Sequence, residues 1–573
     1  MRDVRTAPTT VDQLGAASLL WPPGCYPGGS DGGSRESDAA TDLGLTDVAQ
    51  ALTSYDGYRA QREQRERFVF AVLTAFCTDL EVITYRQAVV TDLIENRPLR
   101  ERLHEALPGL TALSVEPYRP VEHLSVQQVA RRLSELEVYM DVVVQLRQVL
   151  DTSRPRAPAF LGLQQHLREI TETPEFLALR AELPRLRATL DEAKSVTVGV
   201  NLSVDLVPES ATILSINADK IEGRHALLGR LLGEQGGQRG ITPLQTGNTN
   251  RSLGQQNGLV RDLAKLLEEV AAPVAEAIRR YTTVNTRALV ALEFELSFFL
   301  QAVTMIESLH RAGLPMCRPE VAPIGDRITE LVDGYNVSLA LQTLRGSGDS
   351  SIPAGGGIVP NTITFGKPHR VWILTGPNSG GKTTYTRAVG LAHYLLQAGL
   401  YVPASTARMS PVDAIYTHFA TLENPLHGSG RLGEEAERLA RIFYHATPHS
   451  LILLNEVLSG TSAIEALGMA IEAVRGLRLL GARAIYVTHL HDLAARVEEV
   501  NAHTPGMGSV GSLVARVDDG QETGDRGAQH RRTYRITPGP PPGLSYASEI
   551  AEKYGISFSQ LEALLRQRGV LEM

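Results

Sequence analysis

VWILTGPNSGGKTT, residues 371–384, decides how this chain is to be read. A continuous apolar run, Val371 to Leu374, leads into the pattern G-x-x-x-x-G-K-[ST] at Gly376, Gly381, Lys382 and Thr383. Residues 386–397 then follow a helical period up to Gly399. Strand, glycine loop and helix in that order make a phosphate cradle. The glycines let successive N–H groups turn toward phosphate oxygens, and the helix aims the positive end of its dipole at the same anion. The expected triphosphate contacts are therefore Gly376, Pro377, Asn378, Ser379, Gly380, Gly381, Lys382, Thr383 and Thr384. Lys382 would reach the β- and γ-phosphates, and Thr383 would ligate Mg²⁺ through its hydroxyl. The bland alternative is a glycine-rich turn; the apolar run before the loop and the helical period after it argue against that.

Composition bounds the rest. With 573 residues, 43% hydrophobic and 21% charged, the chain can fill several cores, and two to four domains are expected. Cys25, Cys77 and Cys317 lie far apart without C-x-x-C spacing, so neither a disulfide framework nor a zinc site is indicated and a reducing cytosol fits. No apolar run approaches membrane-span length, and the start MRDVRTAPTT lacks a signal core, which argues against membrane insertion and export. The net charge of -8 is uninformative about nucleic acid, because local basic patches rather than totals meet phosphates.

Residues 1–42 are rich in Gly, Ser, Asp and Pro and read as a mobile tail. From residue 43 to 190 the pattern is helical. In LSVQQVARRLSELEVYMDVVVQLRQVL, Ser125 and Gln128 fit a capping box, and Val129, Leu133, Leu136, Met140 and Val143 share one face. Residues 196–207, VTVGVNLSVDLV, alternate as a half-buried strand pair would, and 233–258 read as a flexible insertion. Between Leu259 and His310 there is no glycine and one proline, Pro273. One lever helix, kinked at that proline, and two stacked helices broken near Pro273 or Thr282 fit equally.

Two further apolar runs end in polar residues: LILLNE at Asn455 and Glu456, and AIYVTH at His489. In a parallel α/β sheet the carboxyl ends of strands converge beside the ligand crevice, so three strand tips can surround one γ-phosphate. Glu456 is the candidate for activating the attacking water and His489 for sensing or polarising the γ-phosphate. Taken singly, such a Glu reads as surface and such a His as structural; the loop raises both.

These blocks together resemble the MutS family of ABC-type ATPases, whose members recognise mismatched or branched DNA. The resemblance rests on IVPNTITFGKPHRVWILTGPNSGGKTTYTRAVGLAHYLL, on GLYVPASTARMSPVDAIYTHFAT, on HATPHSLILLNEVLSGTSAIEALGMA and on IYVTHLHDL. YRITPGPPPGLSYASEIAEKYGIS resembles the terminal helix-turn-helix through which family ATPase domains pair, and TDLEVITYRQAVVTDLIENRPLRERL the start of the helical core and lever. The implied fold is an α/β ATPase domain with an ABC-type, mostly parallel sheet over 346–573. It would be preceded by a mainly helical core and lever over 43–345, with a small β-containing clamp insertion at about 196–260. The implied protein is a cytoplasmic homodimer, an ATP- and Mg²⁺-dependent clamp on mismatched or branched DNA, with no membrane role.

Three departures qualify the resemblance. No Phe is followed by Glu two positions on, so the family's base-stacking wedge is not expected; its mismatch-reading N-terminal domain is not expected before the helical core, nor an Smr domain after Gly555. Asn455 stands where the family has an acidic magnesium residue; an outer-shell change of this kind costs roughly 10- to 100-fold, and with Glu456 retained the expectation is weak ATP hydrolysis rather than none. In HGSGRLGEEAERLARIF, Gly430 falls at the family's signature serine with Ser429 one position off. Ser429, the amide of Gly430 or Arg431 can serve the partner's γ-phosphate, and a surface turn starting a helix fits as well. The alternative function is a nucleotide-gated protein scaffold with little DNA binding.

Overall fold

The computed structural model describes residues 18–25, 36–53, 59–114, 126–191, 195–205, 208–217, 219, 271–281, 286–346, 357–419, 430–458, 461–518, 531–541 and 555–568. The described residues before 195 hold helices α1 (Glu36–Leu43), α2 (Leu45–Thr53), α3 (Arg59–Thr74) and α4 (Leu80–Glu95). There follow α5 (Arg97–Ser114), α6 (Val126–Ser153), α7 (Pro158–Glu172) and α8 (Pro174–Asp191). Strands β1 (Ser195–Leu202) and β2 (Pro208–Asn217) precede α9 (Arg287–Arg311). Next come β3 (Glu320–Val321), β4 (Thr329–Gly334), α10 (Val337–Gly346), β5 (Asn361–Phe365), β6 (His369–Thr375) and α11 (Lys382–Gln397). After them run β7 (Thr406–Met409), β8 (Ile415–Phe419), α12 (Gly430–His445), β9 (Leu451–Asn455), α13 (Ala463–Leu480) and β10 (Arg483–Val487). The last described elements are α14 (His491–Ala495), α15 (Val497–His503), β11 (Ser509–Asp518), β12 (Arg531–Pro538) and α16 (Phe558–Gln567).

The chain divides into two compact units, one of residues 1–100, 155–162 and 294–573, the other of 101–154 and 163–293. Among its described residues the second unit holds helices and the antiparallel β1–β2 hairpin. Along α6, Val129, Leu133, Leu136 and Val143 are buried and Met140 is half-buried, the single face their spacing predicts. Ser125, the proposed cap, lies outside the described residues, as do most of 196–260 beyond the hairpin. The strand pair expected within 196–207 is displaced: its second strand is 208–217, because the chain reverses in the turn at Val204 and Asp205 rather than completing a strand there. Residues 271–279 are helical and end in a turn at Arg280 and Tyr281, beside Thr282, one of the two expected break points.

In the first unit a six-stranded sheet runs β12-β11-β6-β10-β9-β8, parallel throughout except for β12. Both faces are covered, which explains the unbroken apolar runs of β9 and β10, every residue of which is buried. Ile452, Leu454, Ala484 and Tyr486 join one core with Val474 and Leu477 of α13. Leu453, pointing the opposite way, lies against Gly390 of α11, where a Cβ would stand 3.1 Å from it. A second, four-stranded sheet has the order β3-β7-β4-β5.

Two expectations need correction. The domain boundary at 346 is too late, because β3 and β4 pair with β7 and β5 from beyond it. The mobile tail over 1–42 does not hold for its described parts: Leu19 and Leu20 are buried, and Asp42 on α1 accepts from Thr417 Oγ1 (2.7 Å) and Arg438 (3.2 Å). Average composition hid short apolar pieces that find partners distant in sequence. One helix, over Ala288–Arg311, is long and apolar enough to cross a membrane, with an 18-residue window of mean hydropathy 1.7, but 83% of that window is buried within the protein, as a core helix would be. All three cysteines are free thiols.

Candidate functional site

The loop after β6 has the backbone that its glycines permit and other residues resist. Gly376 has φ 136°, and a Cβ there would stand 2.7 Å from the Ala515 Cβ of β11, so no side chain fits. Gly381, φ 91°, forms the N-cap of α11 without any side-chain hydrogen bond, which leaves the first helical amides available to an anion. Ser379 is held at φ 59°, a left-handed conformation costing about 1–2 kcal/mol in a non-glycine residue. Lys382 is buried and folds back over the loop, donating from Nζ to the carbonyls of Gly376 (2.9 Å) and Pro377 (3.0 Å). Burial lowers its pKa, opposed by the Glu456 carboxylate. Neutral carbonyls compensate an ammonium only in part, so a phosphate offers it a stronger partner.

The ends of β6, β10 and β9 stand level, with Val487 paired to both Leu374 and Asn455. This register brings the expected residues together. Asn455, buried at the tip of β9, accepts through Oδ1 from Thr383 Oγ1 at 3.1 Å. Glu456 follows at φ 56°, its amide donating to Val487 O (3.0 Å), and this kink turns its side chain toward His489. The His489 Nε2–Glu456 Oε1 distance is 2.8 Å. Glu456 is held below the usual carboxylate range first by that hydrogen bond, against the upward pull of burial, with Lys382 adding to the lowering. An acid so shifted is ionised at neutral pH and better suited to orienting a water than to retaining its proton.

A cleft of about 430 Å³ opens beside the loop. Ser379, Gly380, Gly381, Lys382, Thr383, Thr384 and Glu456 line it, whereas Gly376, Pro377 and Asn378 do not, and Asn455 and His489 stand behind Thr383 and Glu456, to which they are hydrogen-bonded, rather than in the lining. Its far side comes from residues that motif reading did not single out: Tyr335, Asn336, Ile358, Val359, Asn361 and Tyr534. Asn361 ties the wall to β12, donating to Tyr534 O (3.1 Å) and accepting from Ile536 N (2.7 Å). Tyr534 opens the stretch that resembles the terminal helix-turn-helix, but it belongs to strand β12, which pairs with β11 beside the loop. Only its position at the start of YRITPG hinted at it, since alternation over so few residues does not separate a strand from a turn. Ser429 and residues 542–554 of the expected helix-turn-helix lie outside the described residues.

For magnesium the described site offers hard oxygen donors, the Thr383 hydroxyl and the Asn455 amide oxygen, which suit that ion's chemistry. Their mutual hydrogen bond puts the two oxygens side by side, so the donor set fits.

Comparison with known proteins gives two family matches: MutS domain V over residues 372–512 and the MutS2 N-terminal domain over 78–312. Similar proteins include the DNA mismatch repair protein MutS of Ruminiclostridium cellulolyticum, 31% identical over 47% of this chain and 28% of the relative. That of Prochlorococcus marinus is 26% identical over 74% of this chain and 46% of its own length. That of Thermosynechococcus vestitus is 28% identical over 72% and 48%. The chain thus spans about half the length of these relatives, or less.

Proposed function

The chain belongs to the MutS family, and from that premise we propose that it is an ATP-binding, DNA-binding protein of repair or recombination. In this reading it is an ATP-gated dimeric clamp on mismatched or branched DNA, with weak hydrolysis. The observation that carries it is the convergence of Lys382, the Thr383–Asn455 pair and the Glu456–His489 pair at three level strand ends beside one cleft.

Loop amides and the start of α11 bind the phosphates, while Lys382 exchanges its two carbonyl partners for phosphate oxygens. Magnesium, when bound, supplies positive charge against the β- and γ-phosphates, held by Thr383 and Asn455. Glu456 orients the attacking water and His489 fixes the carboxylate's direction. Tyr534 and Ile358 offer flat and apolar surface for a nucleobase. The amide at Asn455 carries no charge where an acid would, which supports slow turnover.

Pairing of two copies is supported by α16, on which Phe558, Leu561 and Leu564 are exposed and no residue is buried. γ-Phosphate contacts made across two copies would favour one arrangement over another, which is how a nucleotide can gate a clamp. The second reading, a nucleotide-gated scaffold, is favoured by the same Asn455. The test is ATP binding and hydrolysis with and without linear, mismatched and branched duplexes, alongside Lys382→Ala. DNA affinity that falls steeply with salt supports the clamp. Nucleotide binding without DNA affinity at low salt supports the scaffold, and no nucleotide binding removes both.

A further inference from the structure

We propose that residues 18–21 are an intramolecular strap, gripped by Glu295 and Arg86, whose docking holds the C-terminal end of α11 and so tunes the nucleotide site at that helix's other end. This rests on the nucleotide reading above and adds a regulatory element to it.

The grip is built like a peptide-binding site. Glu295, fully buried on α9, accepts from Leu19 N (2.6 Å) and Ser18 Oγ (2.8 Å). Tyr85 Oη donates to Ser18 O (2.8 Å) and Arg86 Nε to Leu20 O (2.9 Å), so acceptors meet the strap's donors and donors meet its carbonyls. The amides of Leu20 and Trp21 both donate to Ser18 Oγ at 3.1 Å, which folds the segment on itself. Leu19 and Leu20 are buried, and the Arg86 guanidinium lies 4.5 Å from the Trp21 ring centre.

Arg86 also reaches α11. It is fully buried, and its second nitrogen donates to the carbonyl of Gln397, the last residue of that helix, at 3.1 Å. Gly399, at φ 77°, lets the chain pass so close that a Cβ there would meet the Arg86 Cβ at 2.1 Å. Among its described hydrogen bonds Arg86 donates to no carboxylate, only to the carbonyls of Leu20 and Gln397, while the Glu295 carboxyl acts on it through charge. Losing the strap therefore leaves a buried cation with half its acceptors and a buried carboxyl without its donors, and both must rearrange. The rearrangement falls on the end of α11. The same helix is held a second time by the chain that follows the strap: Arg387 Nε donates to Asp42 O (2.8 Å), and Leu43 packs over Gly390. Because α11 begins at Lys382, loosening its far end frees the tilt that positions Lys382 and Thr383.

The test uses the full chain carrying Leu19→Asp and Leu20→Asp, neither residue lying near the cleft, with Ser18→Ala as a milder second variant. Amide exchange is followed at residues 19–21, at 394–400 and in β9 and β10, together with affinity for ATP and magnesium. The expected result is faster exchange at 19–21 and 394–400, unchanged exchange in β9 and β10, and affinity weakened by about 5-fold or more. Reciprocity requires that ATP added to the unaltered protein slow exchange at 19–21. Exchange rising at 19–21 alone, with 394–400 and affinity unmoved, overturns the proposal, as does loosening spread evenly through β9 and β10. Failure of the unaltered protein to bind nucleotide removes the nucleotide reading instead, while the exchange at 394–400 still reports whether the strap holds α11.

Discussion

Asn455→Asp changes one atom's identity and one unit of charge at the centre of the site, with opposite consequences for two measurable quantities. Asn455 is buried, accepts from Thr383 Oγ1 at 3.1 Å and stands next to Glu456, whose carboxylate is ionised at neutral pH. Without magnesium the new carboxylate gains a charge-assisted bond from Thr383 but is otherwise buried beside a like charge. Unfolding in urea with a chelator should therefore show a loss of about 1–3 kcal/mol. With magnesium and nucleotide the added charge restores what the amide lacks, and the outer-shell scale of roughly 10- to 100-fold converts to about 1.4–2.8 kcal/mol of metal affinity. The assay is a magnesium titration of phosphate release at saturating ATP. Half-saturation should shift to lower magnesium by that factor, with faster turnover. A half-saturation and a rate both within about twofold of the unaltered protein, alongside the expected loss in chelator, would refute the assignment of Asn455 to the metal.

Other consequences follow from single groups. Glu456→Gln should keep nucleotide affinity and slow hydrolysis by about 100-fold or more, read by single-turnover phosphate release, because the amide cannot orient water as the carboxylate does. Leu561→Asp, on an α16 face that is exposed in one copy, should leave unfolding unchanged within about 0.5 kcal/mol yet shift sedimentation toward a single copy in the presence of ATP. Burial pushes the Glu295 carboxyl up from 4.5 to about 7, against the hydrogen bonds of Leu19 and Ser18 and the charge of Arg86. A carboxyl raised in the folded state stabilises it when protonated; that contribution is full below 4.5 and is lost as the pH rises to about 7. Glu295→Gln should accordingly flatten the dependence of unfolding stability on pH across that interval, measured in urea.

The loop at 376–384 and the two strand tips at Glu456 and His489 were legible because their chemistry is local. Glycine is favoured where φ is positive, as at Gly376 and Gly381, and a buried strand flanked by helices is apolar along most of its length. The level register that joins the tips was inferred from parallel-sheet geometry and is met by Val487, paired to both Leu374 and Asn455. Tyr534, Asn361 and Ile358 carry no such mark, since each lines the cleft only because β12 returns antiparallel beside β11 and β5 lies near it. Likewise β3 and β4 were assigned to the helical region because nothing in six residues says which distant strand they will meet.

By itself the amino-acid order determined that a strand, a glycine-rich loop and a helix follow one another, and which residues sit at their ends, since backbone sterics and side-chain period act over a few neighbours. Tertiary structure alone decided that Ser18–Trp21, amid glycine and proline, is gripped by Glu295 and Arg86 from far along the chain. The reason is that the free energy of burying a carboxyl or a guanidinium depends on partners that folding brings from any distance.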